Sequence, residues 1–315
     1  MPTPGAVKTM EIVNIFENPF KKEPCTLALG IFDGVHIGHK ALLSQTAQQA
    51  QKSGLLAAVF TISDGAAYKK TAPLFADKEK YAKMENCGIA RVYTARFEQI
   101  RDLSPEAFIA EVLIKRLGCE VALCGENFRF GKGAAGSADI LCKEMQANGF
   151  RANVCQSVLF EGKTVSASAI KEALACGQAE LAAAMLGEPF TLRSAVLHGK
   201  GIGGAKLGVP TVNLAFEASA FVPKHGVYAS RTQIGDAVYP SITNVGVRPT
   251  FETEAKANAE THILAEVGNL YGKEVAVSLL SFLRPERRFE NEDALKAQLQ
   301  KDCEAAKSYL NQRKI

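Results

Sequence analysis

Apolar and polar positions follow two different patterns along this chain of 315 residues. In the first half, short apolar runs typical of buried strands alternate with stretches that have helical spacing. Strands that alternate with helices predict a parallel sheet covered by helices, which is a Rossmann-like α/β fold. The predicted strands are Thr26–Phe32, Leu55–Thr61 and Glu120–Cys124, and the predicted helices are Lys40–Ser53, Lys78–Cys87 and Pro105–Leu117.

The pattern changes near residue 187, after a pair of short predicted helices over Ala167–Leu186. Short alternating runs with frequent glycine and proline then predict an antiparallel β-barrel, and Glu292–Leu310 has the spacing of a terminal helix. We therefore predict an α/β domain over residues 1–186 and a barrel domain over 187–315. The predicted barrel strands are Ser194–Leu197, Gly226–Thr232, Ser241–Val245, Glu260–Leu264 and Glu274–Leu283.

Composition narrows the class of protein. Hydrophobic residues make up 47% and charged residues 22% of the chain, which is typical of a globular protein. The net charge of +4 comes without a dense basic patch, so we expect no nucleic-acid partner. The chain shows no secretory signal pattern and no apolar run of membrane length. The eight cysteines are scattered, which favours reduced, buried thiols and a cytoplasmic location.

A turn between the first predicted strand and helix holds the first candidate site. It reads Gly-Ile-Phe-Asp-Gly-Val-His-Ile-Gly-His over residues 30–39, which places His36 and His39 at a helix start. The free amides and the dipole of a helix N-terminus attract phosphate, and Gly34 and Gly38 allow the backbone to approach a ligand. Two imidazoles at this place are suited to stabilising a triphosphate while its α-phosphorus is attacked, because phosphoryl-type transfer depends on positioning and charge stabilisation.

This run resembles the HxGH motif of nucleotidyltransferases, in the GxFDGVHxGH form of the bacterial bifunctional riboflavin kinase/FAD synthetase family. Two more stretches carry the resemblance: Gly-Glu-Asn-Phe-Arg-Phe-Gly over 125–131, and Val-Ser-Ala-Ser-Ala-Ile-Lys over 165–171, where the family has SSTxIR. The resemblance implies an FMN adenylyltransferase domain in which His36, His39 and Asn127 are catalytic and Asn127 also contacts the flavin. The ATP-binding residues that it implies are Gly30, Phe32, Gly34, Ser166, Ser168 and Lys171.

A glycine-rich loop ending in Pro-Thr-Val-Asn covers residues 198–213. Its glycines and lysines suit a phosphate cradle, although on the glycines alone a barrel turn is an equally good interpretation. Thr211 and Asn213 lie on one face if the chain is extended, and their oxygens suit Mg²⁺. The GxGxxG matches at Gly131 and Gly199 do not open a helix in a strand–loop–helix unit, so a dinucleotide fingerprint is not predicted.

Segments across the second half resemble the riboflavin kinase signature in family order: the PTxN loop, then residues 244–251, 260–264, 270–273, and 283–286 with Phe289. The resemblance implies that Glu260 is the catalytic base, for which a carboxylate within hydrogen-bond reach is suited. We interpret His262 as a packed strand residue. The remaining residues that the resemblance implies are Gly199, Lys206 and Gly208 for ATP, Thr211 and Asn213 for Mg²⁺, and Arg284 and Glu286 for flavin.

The resemblance implies two reactions, riboflavin phosphorylation to FMN in the barrel and FMN adenylylation to FAD in the α/β domain. The small-molecule partners are riboflavin, FMN, FAD and ATP with Mg²⁺, and the chain is expected to act away from membranes as a monomer or weak oligomer. A kinase-only protein is the first alternative, since Lys171 replaces an arginine and a DPHP-like stretch is missing after Thr61. A flavin-binding sensor without turnover is a further alternative, whereas a nucleic-acid-binding barrel would need an aromatic stacking run and a basic stripe that the sequence lacks.

Overall fold

A computed structural model describes residues 9–63, 72–197, 211–217, 219–248 and 256–313. The chain divides into two units, Met1–Ala167 and Ser168–Ile315, each held together by its own contacts. The predicted boundary near residue 187 falls inside the second of these units. Its position therefore stays a prediction.

Six parallel strands form the sheet of the first unit, in the order β1–β4–β3–β2–β5–β8. The predicted parallel α/β fold is confirmed, although the sequence pattern had not indicated β1, β4 or β8. The short strands β6, β7, β9 and β10 form two separate hairpins. The strands are β1 (Glu11–Asn14), β2 (Cys25–Leu29), β3 (Leu56–Ile62), β4 (Arg91–Ala95), β5 (Cys119–Gly125), β6 (Arg129–Phe130), β7 (Gly136–Ser137), β8 (Arg151–Cys155), β9 (Leu159–Phe160) and β10 (Lys163–Thr164).

Helices cover both faces of this sheet. Alternate residues of β2 enter two apolar clusters, Leu27 and Leu29 in one and Ala28 in the other, as expected for a strand buried on both sides. The helix at Pro105 begins with a proline in its first turn and continues with π-type winding. The helices are α1 (Ile37–Ser53), α2 (Asp77–Glu85), α3 (Phe97–Ile100), α4 (Pro105–Ala107, continued over Phe108–Arg116) and α5 (Ala138–Ala147).

The second unit is a curled antiparallel sheet in the order β11–β16–β13–β14–β15–β12, with a terminal helix. The Leu197 amide, just after β11, donates to the Asn213 carbonyl of β12 at 2.9 Å, which links the two ends of the sheet. The predicted barrel with a terminal helix is confirmed. Its elements are α6 (Ala167–Ala175), α7 (Ala179–Leu186), β11 (Phe190–Ala195), β12 (Thr211–Ala215), β13 (Gly226–Ile234), β14 (Ala237–Arg248), β15 (Lys256–Ile263), β16 (Glu274–Arg284) and α8 (Glu292–Gln312).

Strand alternation gives this sheet two different faces. On one face, buried hydroxyls of Ser230, Thr232, Ser241, Thr243 and Thr261 form a hydrogen-bonded ladder at 2.8–2.9 Å. Their neighbours along each strand point the other way, towards α8, because side chains alternate with a period of two. That second face carries the candidate kinase residues.

Candidate active sites

The turn after β2 is strained where the candidate transferase residues begin. The predicted strand to Phe32 instead ends at Leu29, because Phe32 adopts a left-handed conformation with φ 56°. Gly34 (φ 82°) and Val35 (φ 41°) follow in the same region. Positive φ is unfavourable for a β-branched residue, and such strain persists only where the surrounding structure enforces it, commonly at functional sites.

His36 and His39 lie against each other at the start of α1. The His39 amide donates to Nδ1 of His36 at 3.3 Å, which makes His36 the N-cap. The two rings stack with centroids 3.6 Å apart, and the centroid of the Phe32 ring lies 5.2 Å from that of His39. Because Nδ1 of His36 accepts this bond, the proton of a neutral His36 ring lies on Nε2.

Two glycines of this turn leave space for neighbouring rings. A Cβ on Gly30 would lie 3.1 Å from the Phe32 ring, and one on Gly38 would lie 3.2 Å from the His36 ring. Phe32 itself is buried. Gly38 therefore allows the His36 ring to pack, a role that differs from the ligand approach expected of it. Gly34 meets the need for positive φ.

Strand order brings Asn127 to the same edge of the sheet as the histidines. β2 lies between β3 and β5, and the chain runs from β2 to one side through β3 and β4 before it returns to β5 on the other side. In such sheets ligands bind beyond the carboxyl ends of the strands at this switch point. Asn127 follows β5 and is exposed, with its Oδ1 beside Gly125.

Asp33 is a residue of this turn that the sequence reasoning missed. Its side chain is buried, and Oδ1 accepts a hydrogen bond from the Leu74 amide at 2.8 Å. The only sequence signal was its place inside the GxFDGVHxGH run. This bond fixes the strained turn against the segment that precedes α2.

The predicted phosphate contacts Ser166, Ser168 and Lys171 lie at the start of α6. Ser166 precedes the helix, and Ser168 and Lys171 lie in its first turns. The division between the two units falls between Ala167 and Ser168. Their ATP-binding role stays a prediction, supported by their position at a helix N-terminus.

A cavity of about 230 Å³ opens on the second face of the barrel sheet. It brings together four predicted residues, Thr211, Glu260, Arg284 and Glu286, whereas Asn213 is not among its lining. The full lining is Thr211, Val227, Ile242, Asn244, Glu260, His262, Arg284, Glu286, Arg287, Phe289, Leu295 and Leu299.

Strand register explains why these residues meet. Glu260 on β15 pairs with Asn213 on β12 and with Asn244 on β14, so the three side chains form one row across the sheet. The row continues through Val227 on β13 to Arg284 on β16. Cross-strand partners on one face have neighbouring Cβ atoms, so Asn213 borders Glu260 although it does not line the cavity.

His262 lies in the next row, opposite Thr211, and lines the cavity. Its Nδ1 is 3.3 Å from the Thr211 hydroxyl, and burial lowers the pKa of its imidazole. The interpretation of His262 as a packed strand residue was incomplete, because it is only partly buried and faces the cavity. Its place two residues after Glu260 was the signal that could have found it.

Arg284 and Glu286 are bound by different elements, Glu286 by the sheet and Arg284 by α8. Oε1 of Glu286 accepts a hydrogen bond from Asn244 Nδ2 at 2.8 Å, which ties it to the sheet. Arg284 Nη2 pairs with Asp302 of α8 at 2.7 Å. The loop between β16 and α8 therefore forms a wall of the cavity.

The predicted ATP contacts Gly199, Lys206 and Gly208 lie outside the described residues. Within the described ranges, no three histidine, cysteine or acidic residues are grouped so that they could hold a metal ion. No helix in the described part of the chain is long and apolar enough to cross a bilayer.

Two family models match the chain, FAD synthetase over residues 18–169 and riboflavin kinase over residues 186–310. It is similar to proteins named bifunctional riboflavin kinase/FMN adenylyltransferase from Pseudomonas fluorescens (33% identity over 90% of this chain and 92% of the relative) and Escherichia coli K12 (33%, 95% and 96%). The Bacillus subtilis relative of that name is 30% identical over 90% and 92%. A solved structure titled macrolide-efflux protein from Streptococcus pneumoniae has a TM-score of 0.84 at 26% identity and covers 96% of this chain and 99% of its own.

Proposed function

The chain belongs to the bifunctional riboflavin kinase/FMN adenylyltransferase family, and from that premise we propose that it makes FAD in two steps. In the barrel unit, riboflavin and ATP give FMN and ADP. In the α/β unit, FMN and ATP give FAD and pyrophosphate. The matches of both an FAD synthetase and a riboflavin kinase model support this function over a kinase-only protein.

The position of Glu260 is the observation that carries the kinase proposal. Its carboxylate lines the cavity and lies in a row with the amides of Asn213 and Asn244. Glu260 takes the proton of the riboflavin 5′-hydroxyl as that oxygen attacks the γ-phosphorus of ATP, and ADP leaves. A general base of this kind contributes about 10²–10⁴-fold to a rate.

The oxygens beside Glu260 fit Mg²⁺. Thr211 lines the cavity, Asn213 is two residues further along the same strand, and both present oxygen donors on one face. Mg²⁺ takes few protein ligands and completes its shell with water and phosphate oxygens, which suits a site without a cluster of acids. When bound, the ion would neutralise charge on the ATP phosphates. Arg284 and Glu286 contact the flavin.

In the α/β unit, FMN phosphate attacks the α-phosphorus of ATP and pyrophosphate leaves. The start of α1 faces the switch-point edge, where its free amides favour phosphate. His36 donates through Nε2, because its Nδ1 is used by the His39 amide. Together with His39 it stabilises the charge that develops on the phosphate oxygens. Asn127 contacts the flavin from the end of β5.

The remaining assignments complete the proposal. Gly30, Phe32, Gly34, Ser166, Ser168 and Lys171 serve the ATP of the adenylyl transfer, and Gly199, Lys206 and Gly208 serve the ATP of the kinase reaction. We further propose that the protein acts in the cytoplasm as a monomer or weak oligomer, without a nucleic-acid or membrane partner.

Product analysis tests the two assignments separately. Wild type, His36→Ala and Glu260→Gln are incubated with riboflavin, ATP and Mg²⁺, and FMN and FAD are separated by chromatography. We expect FAD from wild type, FMN that accumulates with His36→Ala, and formation of both products slowed about 10²–10⁴-fold with Glu260→Gln. Glu260→Gln supplied with FMN should still form FAD. If wild type makes FMN but no FAD at any enzyme concentration, the bifunctional proposal is wrong and the protein is a riboflavin kinase only.

A further inference from the structure

The carboxylate of Asp302 is buried on α8 and forms an ion pair with the guanidinium of Arg284. Their side chains are 4% and 17% exposed. Nε of Arg284 donates to Oδ1 of Asp302 at 3.0 Å, and Nη2 donates to Oδ2 at 2.7 Å. Gln298, one turn earlier on α8, donates to Oδ1 at 2.7 Å. This side-on, bidentate pairing fixes the guanidinium in one plane.

Asp302 interrupts an apolar stripe of the helix. Leu295, Leu299, Ala306 and Leu310 lie on the side of α8 that packs on the sheet. A buried ion pair commonly stabilises a protein no more than apolar residues of similar volume do. Removing one partner of such a pair strongly destabilises the fold. Packing alone therefore gives no reason for a carboxylate here, whereas the position of Arg284 in the cavity wall does.

The pairing also determines what Arg284 can offer a ligand. A guanidinium has five N–H donors. Asp302 takes one from Nε and one from Nη2, and the Pro285 carbonyl accepts one from Nη1 at 3.1 Å. One donor on each terminal nitrogen is then available, and the carboxylate offsets the positive charge. Paired donors without net charge suit the carbonyl oxygens of an uncharged ring system better than a triphosphate.

We propose that Asp302 is a positioning residue for the flavin substrate of the kinase, an inference that rests on the proposed function of the barrel unit. It holds Arg284 in the plane that hydrogen-bonds the flavin ring, and its carboxylate offsets the positive charge there. The same helix steadies the second arginine of the wall, since Gln298 accepts a hydrogen bond from Arg287. Asp302 itself does not line the cavity.

Riboflavin affinity tests the proposal. The dissociation constant of the full chain is measured by quenching of flavin fluorescence without ATP or Mg²⁺, and KM values are measured separately. Asp302→Asn keeps the shape but loses the charge, so we expect riboflavin to bind about ten-fold more weakly or worse. The KM for ATP should stay within about two-fold. Riboflavin affinity within about two-fold of wild type would overturn the proposal.

A matched variant separates positioning from simple support of the helix. Leu310 is buried on α8, and Leu310→Ala loosens the helix without touching Arg284. We expect it to lower the melting temperature but to keep riboflavin affinity. The positioning role is wrong if Leu310→Ala weakens riboflavin as much as Asp302→Asn for an equal loss of melting temperature.

A second variant keeps the proposal testable if Asp302→Asn does not fold. Arg284→Lys leaves Asp302 with a cationic partner but loses the bidentate fork, so riboflavin should weaken to a similar extent. Unchanged affinity in Arg284→Lys would overturn the proposal. Wild type that binds no riboflavin would instead refute the function of the barrel unit, and the inference with it.

Discussion

A substitution at Gly246 tests the proposed contact between Glu286 and the flavin. The test separates riboflavin affinity from protein stability. Gly246 lies on β14 directly under the carboxylate of Glu286. A Cβ on this glycine would lie 3.0 Å from Cδ and 3.2 Å from Oε2, and closer still to Oε1. Gly246→Ala therefore forces the two groups apart. Because the carboxylate is the end of a flexible side chain, we expect Glu286 to move and the strand to keep its place.

The magnitude follows from what Glu286 gives up. Its hydrogen bond from Asn244 at 2.8 Å is exposed, so its loss costs about 1 kcal/mol, below the range for buried bonds to charged groups. Alanine in place of a strand glycine offsets about 0.5–1 kcal/mol of this. The net change in unfolding free energy should be near zero. A displaced flavin contact of about 1 kcal/mol raises the riboflavin dissociation constant about five-fold.

The assay is riboflavin binding by fluorescence together with thermal unfolding. Gly268→Ala is the matched control, because no atom lies within 4 Å of the position where its Cβ would be. It should leave both measurements unchanged. Gly246→Ala with wild-type affinity would show that Glu286 does not contact the flavin, and a large loss of melting temperature would show that the strand moves instead.

Two further predictions concern the α/β unit. His36→Ala removes the N-cap of α1 and should cost about 1 kcal/mol of unfolding free energy in urea, whereas His36→Asn restores a cap. FAD formation from FMN should fall about 10²-fold in both variants. An active His36→Asn would contradict the role of the ring. Burial raises the pKa of the Cys25 and Cys124 thiols to about 12, from an ordinary value near 9. Unfolded thiols then ionise before folded ones, so stability present below about pH 9 should fall towards pH 12 by up to about 1.4 kcal/mol per pH unit for each thiol. Denaturant unfolding at about pH 8 and pH 10.5 measures this, Cys25→Ala should flatten the curve, and equal stabilities in wild type would contradict it.

The missed strands show where the hydrophobic pattern was insufficient. β4 reads Arg-Val-Tyr-Thr-Ala and is buried throughout, although it begins with a charge. Arg91 is tolerated there because Glu11 and Glu23 accept its hydrogen bonds at 2.7 and 2.9 Å. Those partners lie far away in sequence, so no local pattern reveals them. β8 is an edge strand with mostly exposed residues, which removes the apolar signal.

The candidate sites were predictable to the extent that their chemistry is local. His36 and His39 belong to one turn, and Glu260 belongs to a motif, so sequence spacing was sufficient to propose them. Asp302 lies 18 residues after Arg284, in a helix whose pattern predicts only packing. Its pairing depends on how α8 docks on the sheet. A contact made by tertiary packing leaves no spacing rule in the sequence.

In the kinase cavity, two strands, β14 and β13, separate Glu260 from Arg284. Among the described residues, the ion pairs do not include Glu260, although Arg284 lies in the same cross-strand row. A carboxylate paired with a guanidinium is a weaker base, because the positive charge favours its ionised form. Asp302 pairs with Arg284, and two uncharged side chains lie between Glu260 and Arg284 in the row, Val227 and Asn244, whose amide donates to Glu286. The Arg284–Asp302 pair and the uncharged neighbours of Glu260 in the row thus fit its proposed role as the base of the kinase reaction.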